Sequence, residues 1–199
     1  MNEIPLILGL ALFLGAHLIP VLTPKWRQAR IARLGELRWK GIFSLISLLG
    51  FALLVWGYGV ARTEPIVLWT PPFWTRHVAA LLMVPAFILL VAAYVPGNWF
   101  KTRLGHPMVL STKVWALAHL LTNGNLSDVF LFGSFLLWAI IDFVSARRRD
   151  RIAGKSYAAG PLSRTIIVVI AGVLASYVFM RYLHLPLIGV SPIATMTAT

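Results

Sequence analysis

Residues 106–128 read HPMVLSTKVWALAHLLTNGNLSD. Most of this stretch has the composition of a helix built for lipid, yet it carries His106, Lys113 and His119. Asn123-Gly124-Asn125 is a strong turn signal and stops the helix early. Ser127 and Asp128 then suit the first turn of a following helix, where a hydroxyl or carboxylate can meet unpaired N–H groups. The reading predicts a short helix over 107–122 and a tightly connected antiparallel partner over 126–145. Hydrocarbon penalises imidazole and ammonium groups, so by default each one inside it marks a functional site and needs a partner.

The rest of the chain supports the lipid reading. Of its 199 residues 59% are hydrophobic and 12% charged, with a mean hydropathy of +0.81. A soluble domain cannot hide that much apolar surface. The net charge of +12 raises the question of nucleic acid, which binds a basic stripe on a folded face. Here the lysines and arginines cluster between apolar runs, the pattern of cytoplasmic loops, so no nucleic-acid partner is expected. There is no cysteine. Disulfides, iron–sulfur clusters, thiolate haem ligation and cysteine nucleophiles are therefore excluded.

A bilayer core of about 30 Å needs roughly 20 helical residues. Runs of that order predict helices over 3–22, 40–61, 75–95, 107–122, 126–145 and 164–185. The first, IPLILGLALFLGAHLIPVL, follows Asn2 and Glu3 rather than a basic segment and is expected to be a retained span. Pro85 should kink the third. Fifteen of the eighteen basic residues fall in alternate loops: Lys25 to Lys40, Lys101 to Lys113, and Arg147 to Arg164. Only Arg62, Arg76 and Arg181 lie on the other side. The expectation is an all-α polytopic bundle of about six transmembrane helices in a bacterial inner membrane, both termini periplasmic, forming one domain over 1–199. Trp26, Trp39 and Trp99 fall near the inner boundary, and Trp56, Trp69 and Trp74 near the outer one, as amphipathic rings prefer. The outer loop TEPIVLWTPPFW should lie on the membrane surface or cap the bundle.

Five histidines carry what chemistry there is. His17 lies within the first helix between Gly15, Ala16 and Leu18, small enough neighbours to admit another helix or a flat cofactor. Position alone leaves open whether it is a ligand or bonds a carbonyl or serine. His119 shares a face with Trp115 and Thr112, and the functional reading is favoured there. His106 precedes it by thirteen residues, roughly 220° around the helix at ~100° per residue, so the two cannot share a ligand. Hydration or capping suffices for His106, and wet boundary positions suffice for His77 and His184. Lys113 is expected to snorkel, and Asp142 to answer either Lys113 or the Arg147–Arg149 run.

No His-x-x-x-His zinc pattern, carboxylate–histidine di-metal set, phosphate loop or serine triad can be assembled. Two neutral imidazoles on different helices, facing one another across an apolar slot, are what a six-coordinate b-type haem requires. Its propionates would favour cations at the membrane boundary.

The segments LILGLALFLGAHLIP, FSLISLLGFALLVWGYGVAR, RHVAALLMVPAFILLVAAYVPG, HPMVLSTKVWALAHLLTNGNLSDVFLFGSFLLWAIID and LHLPLIGV resemble the NnrU family of bacterial membrane proteins over nearly the whole chain. That family is associated with nitrite and nitric oxide reduction in denitrifiers, without an agreed biochemical activity. It is also related to the plant and cyanobacterial 15-cis-zeta-carotene isomerase, a haem-dependent membrane enzyme. The resemblance implies haem ligands on the first shared helix and in the Leu-Ala-His stretch, which correspond here to His17 and His119. The predicted topology sets these two about 10–15 Å apart in depth at 1.5 Å per residue. A shared ring would have to tilt, or helix four shift inward. Where the isomerase carries charged residues after its last shared hairpin, this chain has RRRDRIAGKSYAAGP. A more distant likeness is to isoprenylcysteine carboxyl methyltransferases, whose Arg-His-Pro entry to a helix appears here as Arg103-Leu104-Gly105-His106-Pro107. The cofactor-binding tail of those enzymes is missing.

The leading expectation is a haem b protein supporting nitrite or nitric oxide reduction. His17 and His119 are its iron ligands, His106 and His77 the alternates, and Arg62 and Arg76 the propionate partners. The others are a haem-dependent isomerase of a polyene lipid, and a non-catalytic assembly partner of a respiratory or denitrification membrane complex. The lipid bilayer is the common partner in all three.

Overall fold

Unbroken apolar runs leave the backbone no way to satisfy its N–H and C=O groups in lipid except by helix. The computed structural model, in which residues 2–192 are described, is accordingly helical. The helices are α1 (Ile4–Leu22), α2 (Pro24–Leu34), α3 (Glu36–Ala61), α4 (Thr75–Tyr94), α5 (Trp99–Leu104), α6 (Pro107–Thr122), α7 (Leu126–Ile152) and α8 (Leu162–Ile188). Wider π-type turns interrupt α7 at Val129–Gly133 and α8 at Phe179–Leu183. Among the described residues there is no strand, only an isolated antiparallel bridge between Val67 and Asn125.

Among the described residues five helices, α1, α3, α4, α7 and α8, are long and apolar enough to cross a membrane. All six predicted helices form, but α6 has only 16 residues. That is about 24 Å of helix, short of a hydrocarbon core of about 30 Å. Two basic segments expected as loops are helical. Pro24 opens α2 and Gly35, at φ +81°, ends it; only glycine adopts that backbone cheaply. The Arg147–Arg151 run continues α7 to Ile152, since arginine is a good helix former. The helix over α4 runs unbroken through Pro85. Met1 and residues 193–199, and with them the expected side of the C-terminus, lie outside the described residues.

The described residues fold as two compact units, 2–70 with 123–145 and 71–122 with 146–192. In the first, α1 packs against α3 through glycines at the crossing. A Cβ on Gly50 would sit 2.7 Å from the Phe13 nitrogen. Gly9 meets the Leu54 backbone and Gly57 the Leu6 backbone in the same way. Lipid supplies no hydrophobic drive between helices, so close backbone packing of small residues takes its place. The opposite face of α3 turns Leu45, Leu48, Leu49 and Val55 outward, each more than half exposed, as a lipid-facing surface requires.

In the second unit α4 packs on α6 and on α8. Gly172 of α8 lies against the Ile88 backbone, and Ser111 of α6 donates to the Ala86 carbonyl at 2.7 Å. The end of α4 is closed by side chains. Asn98, fully buried, donates through Nδ2 to the Ala92 carbonyl at 2.8 Å and to that of Val95. Lys101 Nζ donates to the Ala93 carbonyl at 2.7 Å. Last-turn carbonyls that would otherwise be orphaned are thus satisfied without water.

Candidate functional site

His17 sits within α1, partly buried, in the first unit. Its Nδ1 lies 2.7 Å from the Phe13 carbonyl, one helical turn back. A carbonyl oxygen can only accept, so Nδ1 carries the proton and Nε2 is the lone-pair nitrogen. The ring is packed by aromatics on three sides. Phe13 is 4.4 Å away between centroids, Phe43 of α3 is 5.2 Å away, and Trp138 of α7 stands perpendicular at 6.1 Å. Trp138 Nε1 is buried without a hydrogen-bond partner. A Cβ on Gly15, two residues earlier, would meet nothing within 4 Å.

His119 lies in α6, in the second unit. It repeats the arrangement: Nδ1 is 2.8 Å from the Trp115 carbonyl one turn back, and the Trp115 ring is 5.2 Å away. The same tautomer follows, with Nε2 as the lone-pair nitrogen. Neutral imidazole held by its other nitrogen is the state in which histidine ligates a metal, since the second bond sets ring orientation and basicity. The donor chemistry of both residues would therefore suit a nitrogen ligand to haem iron.

The other sequence candidates have different surroundings. Arg62 stands over the Tyr58 ring at 5.6 Å in the first unit. Arg76 stands over Phe73 at 5.7 Å in the second, with the His77 ring 5.3 Å from the same phenylalanine. His184 bonds the Val190 carbonyl through Nδ1 at 2.7 Å. His106 uses Nε2, 2.8 Å from Asp150 Oδ2. Tyr157 donates to the same oxygen at 2.9 Å, and Lys155 lies over the Tyr157 ring at 5.0 Å. Burial, then the bond to Asp150, raises the Tyr157 phenol above its ordinary value.

Two polar clusters escaped the sequence reading. One is this His106–Asp150–Tyr157 group, whose members lie too far apart in sequence for spacing to reveal. The other joins Tyr58 to Asp128 in the first unit. Tyr58 donates to Asp128 Oδ1 at 2.6 Å, while the Asn125 backbone N–H donates to Oδ2 at 3.1 Å. Asp128 is 2% exposed. Its place in the first turn of α7 was expected, but the capping box it forms with Asn125 and its tyrosine partner were not. Close by, the Leu68 N–H donates to the Gly124 carbonyl at 2.8 Å and the Leu126 N–H to the Ile66 carbonyl at 2.8 Å. The 66–69 segment is thereby tied to the turn before α7.

Comparison with known proteins gives one family match, to the model described as NnrU protein, over residues 5–192. No curated protein and no solved structure matches.

Proposed function

The chain belongs to the NnrU protein family, and from that premise we propose a multi-pass bacterial inner-membrane protein that binds haem b and supports nitrite or nitric oxide reduction. His17 and His119 are the iron ligands in this reading, with Arg62 and Arg76 as propionate partners. The observation that carries it is the matched tethering of the two imidazoles. Each donates its Nδ1 proton to the carbonyl one turn back, at 2.7 and 2.8 Å, which leaves Nε2 as the lone-pair nitrogen. His106 is held differently, with Nε2 rather than Nδ1 bonded, 2.8 Å from Asp150 Oδ2. Bound there, haem would supply one-electron transfer or diatomic-gas binding, or gate an isomerisation. The protein's own part is to hold the rings still. Phe13, Phe43 and Trp138 restrict His17, and the carbonyl bonds lock both tautomers.

The topology that goes with this reading has six crossings and both termini outside, over a single domain of residues 1–199. Its support is the charge pattern together with the bonds that join 66–69 to the 124–126 turn. That turn then shares a side with the loop after α3, while α6 begins just after the basic Lys101–Arg103 segment. Short as it is, α6 must cross, with the membrane thinned or its flanks drawn in.

The test is optical spectroscopy of protein purified in mild detergent after haem-replete expression. Wild type should give the oxidised and reduced bands of low-spin haem. His17→Ala and His119→Ala should each lose low-spin character. Retention of it in both variants would take the ligand role away from these histidines.

A further inference from the structure

The α1–α3 pair is tight at Gly9, Gly50 and Gly57 but parts beyond them. A groove of about 300 Å³ opens between the two helices and α2, lined by Gly15, Ala16, Ile42 and Phe43 with Trp26 and Trp39 at the α2 side. The indoles meet edge to face at 5.8 Å. The lining offers no nitrogen ligand for iron, so the groove is not a second haem site. It is apolar, so water there would lack the partners it needs. Empty, its walls forfeit their dispersion contacts. A hydrocarbon chain is the occupant that resolves both.

What stands beside the groove says which lipid carries that chain. Helix α2, PKWRQARIARL, connects two membrane spans and has no buried residue. It presents Lys25, Arg27, Arg30 and Arg33 and contains no acid. The next acid, Glu36, is paired with Lys40 at 2.7 Å. Arg30 is held with its guanidinium 5.3 Å over the ring of Trp26, which itself lines the groove. A basic helix at the membrane boundary attracts anionic headgroups. We propose that the groove and α2 form one binding site for an anionic phospholipid, an acyl chain lying between α1 and α3 and the phosphate meeting Arg27, Arg30 and Arg33.

The experiment is native mass spectrometry of the full chain, delipidated in mild detergent and offered equal amounts of phosphatidylglycerol and phosphatidylethanolamine. Wild type should retain one phosphatidylglycerol in preference to phosphatidylethanolamine. Gly15→Trp, at a position where an added side chain meets nothing within 4 Å, should fill the groove and lose the retained lipid. Gly41→Trp, equally open but outside the groove, should keep it. Arg27→Gln, Arg30→Gln and Arg33→Gln on exposed α2 should each cut the preference about fivefold, the effect of one cation near an anionic surface. Equal retention of the two lipids by wild type, or phosphatidylglycerol binding untouched by Gly15→Trp, would overturn the proposal. Preference unchanged in the triple arginine variant would overturn it as well. None of these outcomes depends on haem.

Discussion

Asp128 joins α3 to the start of α7 in the first unit. It accepts from both Tyr58 and the Asn125 backbone, so removing it strands two donors, whereas removing the Tyr58 hydroxyl strands none of the chain's N–H groups. Hydrogen bonds between membrane helices average about 0.6 kcal/mol. A buried donor left unmade costs about 1–3 kcal/mol. Asp128→Ala should therefore destabilise more than Tyr58→Phe, read as thermal unfolding in detergent, and equal midpoints would show that the carboxylate does not organise this junction. Tyr157 makes a prediction about pH. Its phenol is raised above the ordinary value of 10.0, first by burial and then by Asp150. As pH climbs through that ordinary value the unfolded chain gives up the proton while the folded one keeps it, so stability falls above about pH 10. In Tyr157→Phe that alkaline loss should be smaller; an identical pH profile would place its origin elsewhere. Little of this was legible beforehand. An Asp in the first turn of a helix can be read from a four-residue window, but the partners Tyr58 and Asp150 are brought in by tertiary packing.

At the scale of helices, the α1–α3 crossing is set by backbone proximity at glycine. Gly50→Ala should force the Phe13 backbone away and cost about 1–3 kcal/mol, as overpacking does. Gly41→Ala lies on the same helix with open space around it, and should be neutral or gain up to about 1 kcal/mol of helix propensity. Thermal unfolding of the two variants side by side checks the contrast, and equal effects would mean that propensity, not packing, governs α3. The apolar helices were legible because lipid demands about 20 uninterrupted apolar residues. The expected 107–122 agrees with α6, and 75–95 with α4 to one residue. Helix α2 and the last two turns of α7 were not, because their arginines read equally well as loop or as helix at a membrane surface. Asn98 closing α4 was equally hidden, since a side chain reaching back six residues leaves no pattern in composition.

At the scale of the whole molecule stand the number of crossings and the proposed haem. The chain has no cysteine, so single cysteines report topology without background. Six crossings predict that Glu64→Cys and Asn123→Cys react with a membrane-impermeant thiol reagent added to spheroplasts, while Lys155→Cys stays silent until the membrane is opened. An Asn123→Cys that remains silent would leave α6 on the inner side and the count at five. The family and the membrane class were both readable from sequence, because they rest on long patterns. His17 and His119 stood out in the sequence only by residue type and depth; that each ring is tethered through Nδ1 follows from the folded helices. The account turns on those tethered imidazoles holding iron, and haem content measures it most directly. Protein purified after haem-replete expression should contain one protoporphyrin haem per chain, assayed as the pyridine complex, falling in His17→Ala and in His119→Ala. A preparation of folded, monodisperse wild type with no haem would contradict it.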